Sequence, residues 1–316
     1  WKVSETRKMI MVTKLKKHKL LLLHCILLCI LTVSVFMFAE EIQELKKSIY
    51  YTIFPEPVPG ATDKYITLYP VETTGEEWFA DAPMIYHAGG EIHGSVYTNS
   101  REAVEETLSE GNFFIEIDLN YTSDGHLVCA HTWLDVYPTD TQPTLEEFLN
   151  SKIQGRFTPM TAADLIQIMR ENPRMYLVTD IKNEDICPPI AELVALAEED
   201  PAILDRFIIQ LYTGREKSSV QEIYPFRDSQ FLFTLYEWGV WQHEAAQICN
   251  EENIAVITAM EGQIPDHDVA MLRELGFTVY EHTVNRADVA KLSLARGISG
   301  FYTDTLYPED LIQFSN

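Results

Sequence analysis

Short apolar runs that alternate with helix-like stretches constrain this chain more than any other feature of its sequence. Several of the helix-like stretches begin with Ser, Thr, Asp or Asn and end at Gly or Asn, as capped helices do. The apolar runs have the length and composition of buried strands and lie at 84–88, 113–119, 175–181, 207–212, 230–236, 254–260, 277–283 and 298–304. The helical patterns between them lie at 100–111, 161–172, 188–200, 243–253, 266–276 and 285–297.

Eight strands with helical crossovers predict an α/β fold, a closed (β/α)₈ TIM barrel formed by residues 64–316. A doubly wound open sheet is the alternative, but the sequence has no glycine-rich first turn of the dinucleotide-binding type. A ninth strand candidate, 126–131, follows the turn sequence "TSDG". It is expected to return as a hairpin partner of the second barrel strand.

A twenty-residue apolar run, Leu20 to Ala39, precedes the barrel pattern. At about 1.5 Å per residue a helix of this length spans roughly the 30 Å hydrocarbon core of a bilayer. The basic sequence "KLKKHK" stands directly before the run, and the positive-inside rule keeps such a flank in the cytoplasm. A cleavable signal peptide ending at Ala39 is the alternative, although Met37 is a poor residue for its cleavage site.

We therefore expect a single-pass protein of the cell membrane whose large domain lies outside the cytoplasm. Its parts are a basic cytoplasmic segment 1–19, a transmembrane signal anchor 20–39, an extracellular linker 40–63 and the barrel 64–316.

The net charge of the whole chain is −24, and the charged residues before Leu20 are mostly basic, so the acidic residues are concentrated in the predicted barrel domain. A domain this acidic would repel phosphate backbones, so we expect no nucleic-acid partner.

Carboxylates occupy one face of the second and third predicted strands. Because side chains alternate along a strand, Glu116 and Asp118 share the face opposite Ile115, Ile117 and Leu119. On the third strand Asp180 and Lys182 share a face in the same way. Three carboxylates at a barrel mouth would repel one another, and a hard divalent cation removes that penalty. Exposed strands also carry such patterns, so each signal is weak when taken alone.

Histidines end two of these predicted elements. His87 ends the first strand, and the predicted hairpin returns His131 toward the carboxylates. A lone histidine at a strand end is usually structural, but two beside a metal ion can act as general acid and base on a phosphodiester. The joint placement of these residues at strand ends, where barrel enzymes carry their active sites, favours an enzyme.

The chain from Met84 to Leu306 resembles the glycerophosphodiester phosphodiesterases. The matching sequences are "YHAGG", "TNSREAVEETLSEG", "IEIDLNYTSDGHLVCAH", "VTDIK", "HTVN" and "GISGFYTD". The resemblance implies a TIM barrel of the phospholipase C-like superfamily and substrate-assisted attack by a neighbouring hydroxyl. It also implies one Ca²⁺ or Mg²⁺ ion and the following residue roles: His87 and His131 as the acid and base, Glu116, Asp118 and Asp180 as metal ligands, and Lys182 as a phosphate contact.

The sequence departs from the family pattern at four places. Ala88 stands where the family has Arg, Thr98 replaces a Glu, Thr132 replaces an Asp, and Asp180 is one methylene shorter than the usual Glu. The acid, base and metal residues are kept while substrate contacts change, which indicates a different substrate more than an inactive enzyme.

Further candidates for substrate contacts follow later strands. Trp238 and Trp241 lie in the loop after the fifth strand and would line a sugar, glycerol or lipid pocket, or else pack under the loop. His282, which stands where the family commonly has Trp, is expected near the mouth, and His93 is a weaker candidate in the first loop. His126 is expected to be solvated.

Two functions of different classes fit these observations. The first is a membrane-anchored, metal-dependent phosphodiesterase that acts outside the cell on a glycerophosphodiester, a lipid head group or an envelope polymer. The second is a barrel that binds such ligands without turnover, a surface receptor or scaffold. Within the enzyme class, a metal-independent phosphatidylinositol phospholipase C-type lyase is a further alternative.

Overall fold

A computed structural model of the chain describes residues 70, 71, 73, 77–80, 82–235 and 242–312. Within these residues every predicted strand is present. The strands are β1 Met84–Tyr86, β2 Phe114–Tyr121, β3 Leu127–Cys129, β4 Tyr176–Ile181, β5 Phe207–Leu211, β6 Phe231–Thr234, β7 Val256–Met260, β8 Thr278–His282 and β9 Gly300–Thr303.

Eight of these strands close into a parallel barrel. They follow the order β1-β9-β8-β7-β6-β5-β4-β2, and β1 also pairs with β2, which completes the ring. β3 is the exception, because it pairs antiparallel with β2 through Leu119↔Cys129 and Tyr121↔Leu127. The predicted (β/α)₈ barrel and its additional hairpin strand are therefore confirmed.

Helices connect the strands on the outside of the barrel. The six predicted helices are present, and four further ones, at 145–149, 201–204, 216–223 and 308–312, were not predicted because they are short or rich in polar residues. In chain order the helices are α1 Arg101–Ser109, α2 Leu145–Leu149, α3 Ala162–Glu171, α4 Cys187–Leu196, α5 Pro201–Leu204, α6 Glu216–Ile223, α7 Gln242–Glu251, α8 Asp266–Glu274, α9 Ala287–Arg296 and α10 Pro308–Ile312.

The alternation along each strand divides the barrel into two apolar layers. The outward side chains of the strands, among them Ile115 and Ile117, pack against the helices in one large cluster. A smaller cluster fills the barrel interior and contains Ile85, Val178, Ile208, Leu232, Val256, Tyr280 and Tyr302. Burial of apolar area at roughly 25 cal/mol per Å² makes these layers the main source of stability.

The N-terminal end of the barrel is closed by Trp78. Its indole Nε1 donates to the Ser229 carbonyl at 2.7 Å. Its ring lies 6.1 Å from the ring of Phe114 and 5.9 Å from that of Tyr280. Because this end is filled by apolar side chains, the polar interior side chains collect at the opposite end, where the strands terminate.

None of the helices among the described residues has both the length and the apolar character needed to cross a membrane. The predicted anchor 20–39 lies outside those residues, as do the predicted segments 1–19 and 40–63.

Candidate active site

Three carboxylates meet at the C-terminal end of the barrel. β2 and β4 are neighbours in register, with Glu116 opposite Val178 and Asp118 opposite Asp180. Each of the three acidic residues offers one oxygen, and these oxygens all lie within 4.8 Å of one another. All three residues are buried. The inward face predicted for Glu116, Asp118 and Asp180 therefore brings them together.

Backbone and side-chain donors hold two of these carboxylates in place. The Ala88 N–H donates to Glu116 Oε2 at 2.7 Å. Asn99 binds Asp118 twice, because its Nδ2 donates to Oδ2 at 2.7 Å and its Oδ1 accepts from the Asp118 N–H at 2.9 Å. The orientation of both acids is thus fixed by the loop that follows β1.

A chain of hydrogen bonds across the barrel interior holds the third carboxylate. Tyr302 Oη donates to Gln210 Oε1 at 3.1 Å, and Gln210 Nε2 donates to Tyr212 Oη at 3.0 Å. Tyr212 Oη in turn donates to Asp180 Oδ1 at 2.7 Å. Each hydrogen bond in this series donates in the direction of Asp180 and the last one ends at its Oδ1. The carboxylate is thereby oriented, and its Oδ2 is left for another partner.

Lys182 lies across the acidic cluster. Its Nζ is 2.7 Å from Asp118 Oδ1 and 2.8 Å from Asp180 Oδ2, although the first contact lacks hydrogen-bond geometry. Burial opposes the charge on this amine, but the charges of Asp118 and Asp180 outweigh it and raise the pKa of Lys182. Lys182 is therefore a cation. It lies beside the carboxylate cluster, where a residue predicted to contact the phosphate is expected.

The donor set fits a hard divalent cation. Glu116 Oε1 is buried and has no hydrogen-bond partner among the described residues. Burial, together with the charge of Asp118, raises the pKa of Glu116 well above its usual range. A buried oxygen without a partner is costly, and hard cations such as Ca²⁺ and Mg²⁺ prefer carboxylate oxygens. In the described part of the chain Lys182 contacts Asp118 and Asp180 but makes no hydrogen bond to this oxygen, whereas a cation held by all three acids would contact it.

His87 lies above the acidic cluster. β1 ends at Tyr86, so His87 does not end the strand as predicted but begins a short 3₁₀ turn, His87–Gly89. Its Nε2 is 3.9 Å from Glu116 Oε2, and its Nδ1 is 2.8 Å from Asp304 Oδ1. The turn is possible because Ala88, Gly89 and Gly90 adopt positive φ angles, and Gly90 leaves no room for a Cβ beside Thr107.

The charge state of His87 is set by these neighbours. Burial would lower the pKa of its imidazole, but the hydrogen bond with Asp304 and the charges of Glu116 and Asp304 raise that pKa to about 9. Asp304 is itself held by Asn285, whose Nδ2 donates to Asp304 Oδ2 at 2.6 Å. His87 is therefore a protonated imidazole at neutral pH with its Nδ1 fixed.

His131 approaches from the hairpin. β3 ends at Cys129, so His131 lies two residues beyond the strand instead of at its end. The Ala130 N–H donates to the Asp118 carbonyl at 3.0 Å, which continues the hairpin pairing and carries His131 toward the mouth. Burial raises the pKa of Asp118, but the charge of Lys182 and the proximity of His131 outweigh it and lower that pKa.

His282 packs against the ring of His87. The two ring centroids are 4.7 Å apart with perpendicular planes, and the His282 ring is 5.2 Å from that of Tyr302. Burial, followed by the charge of His87, lowers the pKa of His282 to about 3. His282 is thus a neutral ring at the mouth, as its position at the end of β8 predicts.

Of the four remaining predicted residues, two lie outside the described part of the chain and two are exposed. Trp238 and Trp241 lie outside the described residues. His93 is exposed in the loop after β1, and among the described residues its side chain forms no hydrogen bond or ion pair with the three acids. His126 is exposed beside the hairpin turn, in agreement with its prediction.

Four residues at the site were missed by the sequence reasoning: Asp304, Asn99, Tyr212 and Tyr97. Asp304 follows directly after β9, so the search for polar residues at strand ends could have found it. Tyr212 follows directly after β5 and carries the same signal. Asn99 and Tyr97 belong to a loop, and no periodicity in the sequence marks them.

Comparisons with known proteins identify a family whose model matches most of this chain. Residues 88–307 match the model of the glycerophosphoryl diester phosphodiesterase family. No curated protein matches the chain. Solved structures with the same fold include a glycerophosphodiester phosphodiesterase from Parabacteroides distasonis, with a TM-score of 0.57 and 18% identity over 73% of this chain and 95% of that one.

Two further solved structures are similar to this chain in fold. A phosphodiesterase from Oleispira antarctica, solved with the product sn-glycerol-3-phosphate, has a TM-score of 0.57 and 17% identity over 73% of this chain and 95% of that one. A glycerophosphodiester phosphodiesterase from Agrobacterium tumefaciens has a TM-score of 0.53 and 16% identity, with 71% and 96% covered. The family match spans most of the chain, so this protein belongs to the glycerophosphoryl diester phosphodiesterase family and is a phosphoric diester hydrolase.

Proposed function

We propose that this enzyme is a metal-dependent phosphodiesterase that hydrolyses a glycerophosphodiester or a related lipid or envelope phosphodiester through His87 and His131. The observation that carries the proposal is the buried cluster of Glu116, Asp118 and Asp180, with His87 Nε2 only 3.9 Å from Glu116 Oε2. An acidic site of this kind attracts a phosphodiester anion only when a cation neutralises it.

Glu116, Asp118 and Asp180 would hold the cation, and Ca²⁺ and Mg²⁺ both suit three carboxylates. When bound, the cation would neutralise charge on a non-bridging phosphate oxygen. Lys182 already lies within 2.8 Å of two of these acids, so its ammonium is available to the same phosphate group. Asn99 and Tyr212 keep the ligands oriented without contacting the substrate.

His87 is proposed as the general acid. Its Nδ1 is bound to Asp304, so Nε2 is the nitrogen left to face the substrate. His131 would accept the proton of the attacking hydroxyl or water as its oxygen bonds to phosphorus. The bond from phosphorus to the leaving oxygen then breaks, and His87 Nε2 gives that oxygen its proton.

The glycerol phosphate unit is our proposed recognition element. The Oleispira antarctica phosphodiesterase, which has the same fold, was solved with sn-glycerol-3-phosphate. In this chain Lys182 and the neutral ring of His282 border the acidic cluster and would contact the substrate. Trp238 remains a proposed contact for the group that leaves, on the basis of its place in the sequence shortly after β6.

The proposed reaction is tested by phosphorus NMR of the full chain with Ca²⁺ or Mg²⁺ and a glycerophosphodiester. Hydrolysis should convert the diester signal into that of a phosphomonoester. Accumulation of a cyclic phosphodiester as the end product would indicate a lyase instead. An unchanged spectrum across glycerophosphodiesters with different alcohols would contradict the proposed substrate class.

We also propose that the chain is anchored in the cell membrane through residues 20–39, with the barrel outside the cytoplasm. The support is the apolar run and its basic flank. Protease treatment of intact cells should release a fragment that begins within 54–63, because a linker outside the membrane would be accessible to protease. A barrel that is protected until the cells are lysed would contradict the orientation.

Removing the Asp304 carboxylate should move the alkaline limb of the pH–rate profile to lower pH. A general acid works only while protonated, so activity should fall as pH rises through the pKa of His87. Asp304 raises this pKa through its hydrogen bond and its charge, and Asp304→Asn takes away the charge. We expect the limb to shift by about one pH unit or more.

The measurement is kcat against pH for parent and variant at the same metal concentration, so that the effect of the cation is common to both. Asp288→Asn, at an exposed aspartate paired with Arg286, is the matched control and should leave the limb unchanged. An alkaline limb at the same pH in Asp304→Asn and the parent would show that His87 is not the acid.

A further inference from the structure

Tyr97 is held in a strained conformation at the mouth of the barrel. Its φ is +59°, in the left-handed region that non-glycine residues rarely adopt. Such strain persists only where the surrounding structure enforces it, and it is common at functional sites. No pattern in the sequence predicts a role for Tyr97.

Neighbouring hydrogen bonds enforce this conformation. Ile92 and Ser95 pair through two backbone bonds at 2.9 and 3.0 Å. Gln154 Nε2 donates to the Val96 carbonyl at 2.8 Å, and Arg156 donates to Ser95 Oγ. The backbone segment that carries Tyr97 is therefore fixed to the loop between α2 and α3, which limits the positions open to its side chain.

The ring of Tyr97 contacts both proposed proton carriers. Its centroid is 4.3 Å from that of His87, with planes nearly perpendicular at 85°. It is 5.5 Å from the centroid of His131, at 68°. One half-buried phenol ring therefore touches the two imidazoles that are proposed to act on one phosphorus atom.

Because its ring lies against both histidines, the phenol of Tyr97 is close to the acidic cluster. Burial, and then the charges of Asp304 and Asp118, raise the pKa of Tyr97 to about 12. The hydroxyl thus keeps its proton at working pH and offers a neutral donor. A bound phosphodiester has oxygens that accept hydrogen bonds. Lys182 already contacts two carboxylates, so a further donor such as the Tyr97 hydroxyl would help to bind these oxygens.

We propose that Tyr97 is a further substrate-binding residue, whose hydroxyl donates a hydrogen bond to an oxygen of the phosphodiester held between His87 and His131. Its ring sets the spacing of the two imidazoles. This inference rests on the proposed function, because it places the phosphodiester at the two histidines.

Tyr97→Phe tests the hydroxyl, because the ring and its contacts with both histidines are kept. A hydrogen bond to a charged group is worth about tenfold or more in affinity. We expect KM for a glycerophosphodiester to rise by about that factor while kcat changes little. Calorimetric binding of sn-glycerol-3-phosphate to the metal-loaded full chain should weaken by a similar factor.

Two further variants complete the test. Tyr97→Ala removes the ring as well and should also lower kcat, because the imidazoles lose their spacer. Tyr176→Phe alters a tyrosine that stacks on Phe114 at the start of β4, the opposite end of the barrel, and should match the parent.

The possible failures are distinguishable. If the parent cleaves and binds these ligands and Tyr97→Phe has the same KM and the same calorimetric Kd, the role of Tyr97 is wrong and the proposed function stands. If the parent neither cleaves nor binds them with metal present, the proposed function and this inference both fall.

Discussion

His87→Ala and His131→Ala are each expected to lose at least about 10²–10⁴-fold in kcat, the usual contribution of a general acid or base. His87 is buried beside Glu116 with its Nδ1 fixed by Asp304, and His131 faces the same mouth across the ring of Tyr97. Neither histidine is one of the three acids that form the metal cluster. Both variants should therefore still bind the cation while turnover is lost.

The measurement is steady-state turnover of a glycerophosphodiester at saturating metal, with metal binding followed in parallel by calorimetry. His126→Ala is the matched control, since this exposed histidine lies on the same hairpin as His131 but at its turn. It should keep the activity of the parent. If both His87→Ala and His131→Ala retained full turnover, the acid and base assignment would be refuted.

The second large effect concerns metal binding. Asp118→Asn should abolish the stabilisation of the protein by Ca²⁺ or Mg²⁺. Asp118 is fully buried, and its carboxylate stays ionised because Lys182 and the histidines lower its pKa against the opposing effect of burial. Asparagine has nearly the same shape but removes the negative charge that the cation needs.

A ligand present at about 100 times its Kd stabilises a protein by about 2.7 kcal/mol. For a domain of this size such an increment raises Tm by roughly 5–10 °C. Thermal melts with and without metal should show a rise of this order in the parent and none in Asp118→Asn. Equal responses of the two proteins to added metal would contradict the ligand assignment.

Two comparisons sharpen this test. Asp124→Asn changes an exposed acid at the turn of the same hairpin and should respond to metal as the parent does. Tyr212→Phe removes the hydroxyl that donates to Asp180 Oδ1. It should weaken the metal response without abolishing it, because the three carboxylates remain and only the orientation of one is loosened.

Strand periodicity, combined with the expected barrel topology, predicted the centre of this site. The alternation of Ile115, Ile117 and Leu119 with Glu116 and Asp118 determines which side chains enter the barrel, because a shift of one residue would bury the acids against the helices. The parallel register then brings Asp180 beside Asp118. These features depend on local pattern and on the barrel topology, both of which can be read from a sequence.

The orienting residues could not be predicted in the same way. Asn99 and Tyr97 are placed by positive φ angles in the loop after β1, and that loop is fixed by side chains from residues 154–156. Tyr302 reaches Asp180 only through Gln210 and Tyr212 across the barrel interior. Such contacts join residues distant in sequence, and no local propensity encodes them.

Strand ends were also predicted less well than strand interiors. His87 was expected to end β1 but begins a 3₁₀ turn, because Ala88 and the two glycines after it turn the chain back toward Glu116. His131 was expected to end β3 but lies beyond it. Both histidines nevertheless approach the mouth, because the turn and the hairpin bond from Ala130 to Asp118 carry them there.

The central claim is that Glu116, Asp118 and Asp180 hold a cation on which phosphodiester hydrolysis depends. The most direct measurement is the rate at which the full chain hydrolyses a glycerophosphodiester, first as purified, then after chelation, then after Ca²⁺ or Mg²⁺ is added back in excess. The account predicts that chelation abolishes the rate and that one of the two ions restores it. A rate that is unchanged after complete removal of divalent ions would contradict the account.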